Sequence, residues 1–283
     1  MKVFYSPKCL EYSTLGHPET PQRVWNIFEA LKDDTRFEFR SPQPAKEEDI
    51  LLVHEAVLVE KVRTNTFLDA DTPSVAGIFE YALLSAGGAT DAAQACTRER
   101  YAFSCCRPPG HHATRSSVGG FCYFNNIAVA VARLLTHKKT VAILDIDIHH
   151  GNGTEDIFLG HKQVVYCSIH QAPLYPGTGL TSKKNCHNYP LPAGVNGAQY
   201  LATLAQALRV IAEDRPDILA VSVGFDTYTD DLLGGFQLHI EDYAQIGKRI
   251  AALNIPTFFV LEGGYSQDTG RCASSFFGGI EAQ

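Results

Sequence analysis

Residues 140–154 read TVAILDIDIHHGNGT, an aliphatic run that stops abruptly on two aspartates and two histidines. Val141 to Leu144 are apolar without a break, which is how a parallel strand covered on both faces reads; a strand with one solvated face would alternate. Carrying the two-residue period past the end of the run puts Asp145, Asp147 and His149 on one face and leaves Ile146 and Ile148 for the packing layer. Carboxylates delivered to that depth repel each other and are costly to desolvate unless paired or bound to a cation. A metal ion accounts for them better than hydrogen bonds alone.

The same construction, a short apolar run and then a polar or glycine-containing turn, recurs outward from this stretch. It appears in MKVFYS (1–6), YAFSCC (101–106), QVVYCSIH (163–170), ILAVSVGFD (218–226) and TFFVLEGG (257–264). Helical spacing predicts helices over 21–34, 47–66, 78–99, 125–137, 196–216 and 239–253, the first with Pro21 in its opening turn. Strands alternating with helices in this way predict an α/β fold: a single-domain, three-layer α/β/α sandwich on a largely parallel sheet. No repeat, linker or charge block divides the chain, so residues 1–283 are expected to form one catalytic domain. The longest aperiodic stretches are 16–20, 106–120, 168–192 and 224–238, and loops leaving the carboxyl ends of parallel strands line the usual ligand crevice.

Composition narrows the function. Of 283 residues, 45% are apolar and 19% charged, and the net charge of −7 has no basic block, which argues against a direct nucleic-acid partner. No apolar run reaches the roughly 18 residues of a membrane span, so a soluble, cytoplasmic protein without a membrane partner is expected. The eight cysteines never form a CxxC and several sit among apolar neighbours, which suggests buried thiols in a reducing compartment.

Chemistry concentrates at the strand ends. ILAVSVGFD delivers Asp226 as TVAILDID delivers Asp147, and if the two strands are neighbours, Asp147, His149 and Asp226 form an oxygen, nitrogen and oxygen set of the kind a catalytic zinc uses. An aspartate that opens a loop can equally cap it, and strand adjacency is not readable from one sequence. In RPPGHHA, His111 and His112 follow prolines and a glycine, and an imidazole suits proton transfer to and from a water near neutrality. VLEGGYS presents Tyr265 after two glycines, as an oxyanion donor or as a core cap. Phe121 in GGFCYFNN and Tyr175 in PLYPGTG are either slot walls or edge core. GNGTED and PGTGLTSKK lack the spacing of phosphate loops, and neither Ser168 nor Ser222 sits in a G-x-S-x-G elbow.

Taken together in order, HPETPQR, DADTPSVAG, RPPGHHA, GGFCYFNN, DIDIHHGNGT, YPGTG, GFD and EGGY resemble the zinc-dependent histone deacetylase and acetylpolyamine amidohydrolase superfamily, nearer its bacterial and class II branches. The resemblance implies that Asp147, His149 and Asp226 hold zinc and that Tyr265 stabilises the oxyanion. It implies that His112 takes a proton from a metal-activated water and returns it to the departing amine, with His111 tuning the charge beside it. Asp145 would back His111 and, with Asp147, Ser168 and the main-chain carbonyls of His149 and Ile169, hold a potassium ion. Phe121 and Tyr175, with Gly120 beside Phe121, would wall the acyl channel, and Asp71 would hold the substrate backbone at the rim.

Some positions depart from the pattern. Asn152 stands where a carboxylate backs the second histidine in other branches, giving His112 a neutral partner. Leu233 falls where polyamine-specific relatives carry a glutamate, leaving Asp230 and Asp231 to attract a cationic tail. Eighteen residues follow Tyr265, fewer than the family's usual tail, which leaves pocket closure and assembly, a homo-oligomer included, open. The expected activity is deacetylation of acetyl-lysine in a peptide or of a related N-acetylated primary amine, with an acetylpolyamine as the alternative substrate. An arginase-like ureohydrolase would carry an aspartate where Gly151 stands, and a non-catalytic acyl-lysine reader would have lost a ligand, His112 or Tyr265.

Overall fold

The structure, a computed structural model, describes residues 1–282. Eight strands, β1 (Lys2–Phe4), β2 (Glu38–Arg40), β3 (Tyr101–Ser104), β4 (Val141–Asp145), β5 (Val164–Gln171), β6 (Cys186–Leu191), β7 (Ile218–Val223) and β8 (Thr257–Leu261), form one sheet. Their order is β2-β1-β3-β8-β7-β4-β5-β6 and every pairing is parallel.

The apolar strands divide their side chains between two cores. Phe103, Ala142, Leu144, Val221, Phe259 and Leu261 point into one core, and Ala102, Val141, Ile143, Ala220, Phe258 and Val260 into the other. The first is covered by α1 (Pro21–Leu31), α7 (Gly197–Asp214), α8 (Ile240–Ala251) and α9 (Thr269–Glu281). The second is covered by α2 (Glu47–Ile50), α3 (Ala56–Arg63), α4 (Ile78–Glu99), α5 (Asn126–Thr136) and α6 (Asn152–Phe158). This is the expected three-layer α/β/α sandwich, and the unbroken apolar strands are its cause, since each must satisfy a helical layer on either side.

Four elements were not legible in periodicity. β6 lies inside the 168–192 stretch and exists because β5 offers it a parallel edge, with Tyr166 to Gln171 opposite Cys186 to Leu191. The three-residue β2, the short α6 and the glycine- and serine-rich α9 carry little propensity of their own, and α9 is held by Cys272, Ala273, Phe276 and Phe277 in the core.

The single helix expected over 47–66 is two. The chain opens between α2 and α3, where the Glu55 N–H bonds to Arg115 O at 2.9 Å instead of continuing one helix. Beside it, His54 Nδ1 lies 2.9 Å from Thr114 O, and its Nε2 accepts from Asn125 N at 2.8 Å, so the proton sits on Nδ1. Burial is the main reason its pKa is lowered, to about 4. Unfolded, the imidazole titrates near 6.5, so its contribution is complete above that value and is lost as pH falls from there toward 4. His54 alone is expected to cost about 2 kcal/mol of stability between pH 7.5 and pH 5. Urea midpoints of the protein and of His54→Ala at both pH values test this: the variant should be weaker at pH 7.5 and the gap should narrow at pH 5. A gap unchanged with pH would refute it.

Candidate active site

β4 and β7 are neighbours, with Asp145 beside Ser222, so the loops leaving both strands open on the same side. One donor atom from each of Asp147, His149 and Asp226 lies within 4.8 Å of the other two, and all three residues are buried. His149 Nδ1 is 3.0 Å from Asp147 Oδ1 and 3.2 Å from Asp226 Oδ2. Backbone amides aim the carboxylates: His149 N and Gly263 N donate to Asp147 at 2.9 and 2.7 Å, and Ile148 N donates to Asp226 at 2.9 Å. Ile146 and Ile148 turn into the core as the strand period requires.

Charge at this point is strongly coupled. Burial disfavours ionisation of Asp147, but His111 and His149 outweigh it and hold the carboxyl well below the usual carboxylate range. Burial and the neighbouring Asp147 push Asp226 up to about 7. Burial pulls His149 down, yet its bonds to the two aspartates win and carry it up to about 10. Two hard carboxylate oxygens and one imidazole, buried, convergent and reached from a cavity, fit a three-residue zinc site with a position left for water or substrate.

The two loop histidines differ in state. His111 Nδ1 faces Asp145 Oδ2 at 3.1 Å, and although burial opposes charge, Asp145 and Asp147 raise its pKa to about 10. His112 Nδ1 is 2.8 Å from Asn152 Oδ1, which can only accept, so the Nδ1 proton is held there and Nε2 keeps a lone pair. Burial, reinforced by the charge on His111 and His149, pushes His112 well below its ordinary value. The rings lie 4.0 Å apart, one a cation and the other a neutral base.

A cavity of about 270 Å³ opens onto these groups, lined by the buried His112 and His149, by Gly120, Phe121, Tyr175 and Tyr265, and by Leu174, Leu233 and Asp71. Tyr175 meets His112 edge-on at 5.0 Å, and Phe121 meets Tyr265 edge-on at 5.9 Å. Gly120, at φ 52°, cannot be replaced: a Cβ there would come within 2.3 Å of His112 Cδ2. Phe121 holds φ 70° with its N–H on Thr72 Oγ1 at 3.1 Å. Burial pushes the Tyr265 phenol well above its usual value, so it is a proton donor near neutrality. Asp145 and Ser168 are register partners on β4 and β5, with Ile169 next along β5, while the Ser168 hydroxyl lies 2.9 Å from His170 Nδ1.

Several residues that organise the site escaped the sequence reading. Glu262 accepts from Gly110 N and His111 N at 2.7 and 3.1 Å and from the Ser222 hydroxyl at 2.9 Å, so it anchors the histidine loop. Glu19 takes both Arg23 and Arg107, at 2.8 and 2.5 Å, in a buried cluster. HPETPQR, RPPGHHA and EGGYS contain these residues, but apart from Glu19 and Arg23, which are four positions apart, no spacing rule says that groups so far apart in sequence meet. Asp231 is not available for a cationic tail, because its carboxylate accepts three backbone amides; Asp230 beside it is exposed.

Residues 17–280 match the family model described as histone deacetylase domain. A probable deacetylase of Methanothermobacter thermautotrophicus is 37% identical over 302 residues, spanning 100% of this chain and 91% of that relative. Acetylpolyamine amidohydrolase 1 of Pseudomonas aeruginosa is 42% identical over 212 residues, 70% of this chain and 61% of the relative. The crystal structure of an acetylpolyamine aminohydrolase from Burkholderia pseudomallei superposes with a TM-score of 0.94 at 29% identity, covering 100% of this chain and 99% of that one. Among the described residues no helix is long and apolar enough to cross a membrane.

Proposed function

The chain belongs to the histone deacetylase domain family, and from that premise we propose that it is a zinc-dependent amidohydrolase acting on an N-acetylated polyamine or a similar short acetylated primary amine. The observation that carries the reading is the convergence of Asp147, His149 and Asp226 beside a cavity that His149 and His112 line, with burial holding His112 well below its ordinary pKa. Similarity to acetylpolyamine amidohydrolases supports the polyamine over an acetyl-lysine peptide, which shares the same amide on an alkyl stem. The exposed carboxylate of Asp71, which lines the cavity, complements a cationic substrate tail.

A zinc ion on Asp147, His149 and Asp226 would supply Lewis-acid polarisation of the amide and a water acidic enough to attack near neutrality. His112 Nε2 is the base that accepts the water's proton and later passes it to the departing amine, while Asn152 keeps the other ring nitrogen protonated. His111, held cationic by Asp145, keeps His112 neutral until that transfer. The Tyr265 phenol donates to the oxygen that gains charge, and Phe121 and Tyr175 offer ring surface to the alkyl stem. Cleavage releases acetate and the free amine. A monovalent cation, potassium in this reading, would sit against Asp145, Asp147, Ser168 and the carbonyls of His149 and Ile169 and steady the strand ends that carry the site.

Gly151 argues against a two-metal ureohydrolase in physical terms as well: a Cβ there would lie 2.1 Å from Asp145 Oδ2, so no bridging aspartate fits. The test is acetate release by zinc-loaded protein in potassium buffer from N-acetylputrescine, N-acetylspermidine and acetyl-lysine peptides, with chelated protein as control. Chelator-sensitive turnover favouring the acetylpolyamines supports the reading; preference for peptides moves the substrate to acetyl-lysine, and no release from any of them removes the deacetylase assignment. His112→Ala is expected to keep its zinc and lose about 10²- to 10⁴-fold in kcat. Full activity of that variant at neutral pH would remove His112 from proton transfer.

A further inference from the structure

Tyr265 follows two glycines, so the local chain gives it no stiffness: Gly264 sits at φ 115°, a conformation few other residues adopt, and neither glycine has a side chain to pack. A phenol that must meet a developing charge to within a few tenths of an ångström needs its rigidity from elsewhere. The single peptide unit joining Gly264 to Tyr265 is gripped at both ends. Its oxygen accepts from Arg23 Nε at 2.6 Å, and its N–H donates to Asp231 Oδ2 at 2.6 Å. The same Oδ2 also accepts from Ser266 N at 3.0 Å. The other oxygen of that carboxylate, Oδ1, accepts from Leu233 N at 2.9 Å, and Leu233 lines the cavity.

We propose that Asp231 is a positioning residue that locks the Tyr265 peptide and the Leu233 wall into one register, tying the fit of the substrate stem to the reach of the oxyanion donor. The proposal rests on the deacetylase reading for its kinetic consequences, but the hydrogen bonds that carry it do not. Asp231 touches no reacting atom. Its two oxygens divide the labour, so the two functions are separable by substitution.

Asn in place of Asp231 has one acceptor oxygen. That oxygen belongs on the side with two donors, because the reverse orientation would leave Tyr265 N–H and Ser266 N–H both facing an NH2 group. Asp231→Asn therefore keeps the Tyr265 grip and releases Leu233, whereas Asp231→Ala releases both. The expected result is a split. Asp231→Asn raises KM several-fold with kcat within about threefold of the unaltered protein, and Asp231→Ala lowers kcat on the order of tenfold to a hundredfold as well. Zinc content should be the same in all three proteins. Hydrogen exchange followed by mass spectrometry adds a readout independent of turnover: peptides covering Tyr265 and Ser266 should exchange faster in Asp231→Ala and as slowly as in the unaltered protein in Asp231→Asn. If Asp231→Ala does not fold, the KM-only effect and retained protection of Asp231→Asn decide the matter. Equal losses of kcat in both variants, or unchanged exchange and kinetics in Asp231→Ala, would overturn the proposal. An unaltered protein that releases acetate from no substrate would overturn the deacetylase reading instead, and the exchange measurement would still decide whether Asp231 holds Tyr265.

Discussion

Replacing Asp147 with alanine is expected to leave a protein that retains no zinc after dialysis and turns over acetylated amines no faster than the chelated control. Asp147 supplies one of three convergent donors, and a divalent ion held by the remaining aspartate and histidine loses both a charge and a coordination position. The change also disturbs the apo framework. His149 N and Gly263 N both donate to this carboxylate, and leaving two buried amides unpaired costs about 1–3 kcal/mol each. His111 and His149 lose the anion between them as well. Metal analysis with a melting curve separates the effects, since a drop in Tm of about 5–20 °C with complete zinc loss is the expected pair of results. Asp147→Asn, which keeps the shape and one acceptor oxygen, should retain more stability than alanine while still binding zinc poorly. Chelator-sensitive turnover surviving in Asp147→Ala would remove Asp147 from the ligand set.

Tyr265→Phe is expected to cut kcat by about 10²- to 10³-fold with zinc content unchanged, the loss typical of one oxyanion donor. Phenylalanine keeps the ring, so the edge contact with Phe121 and the Arg23 guanidinium 4.6 Å from the ring centre survive, as do the backbone bonds to Asp231. Only the hydroxyl is lost. KM should change little, because the ring still fills its side of the slot and the hydrogen bond strengthens only as charge develops on the substrate oxygen. The phenol is held well above its usual pKa by burial, so its ionisation should not appear in the rate profile of the unaltered protein around neutrality. A loss smaller than threefold would exclude Tyr265 from oxyanion stabilisation.

Particular residues mark where sequence reading reached and where it ended. The apolar runs before Asp147 and Asp226 announced two buried strands, because a parallel strand must be apolar on both faces, and both aspartates stand in the loops just past such strands. The adjacency of His111 and His112 announced a pair, but not that one is a cation and the other a base. That difference comes from Asp145 behind one and Asn152 behind the other, 34 and 40 positions away in sequence. The expected helix over 47–66 is interrupted at Glu55, whose N–H bonds to Arg115 O in the histidine loop instead of to its own helix, while the His54 ring bonds to Thr114 O and Asn125 N, tertiary bonds overriding a local period.

Asp226 and Asp231 draw the line most clearly. They are five positions apart, the same residue type, in the same loop, and periodicity treats them alike. Unbroken apolar runs and the helical spacing of apolar residues determined most of the strands and helices, the three-layer sandwich and the placement of the candidate chemistry just past strand ends, because those follow from which faces of a local element must be buried. The tertiary structure decided that β4 and β7 are neighbours, that Asp226 joins Asp147 and His149, and that Asp231 turns away to hold Tyr265 and Leu233. Strand order depends on how long crossovers pack against the sheet, and a carboxylate's role depends on which amides and cations surround it, neither of which is written in the spacing of a single chain.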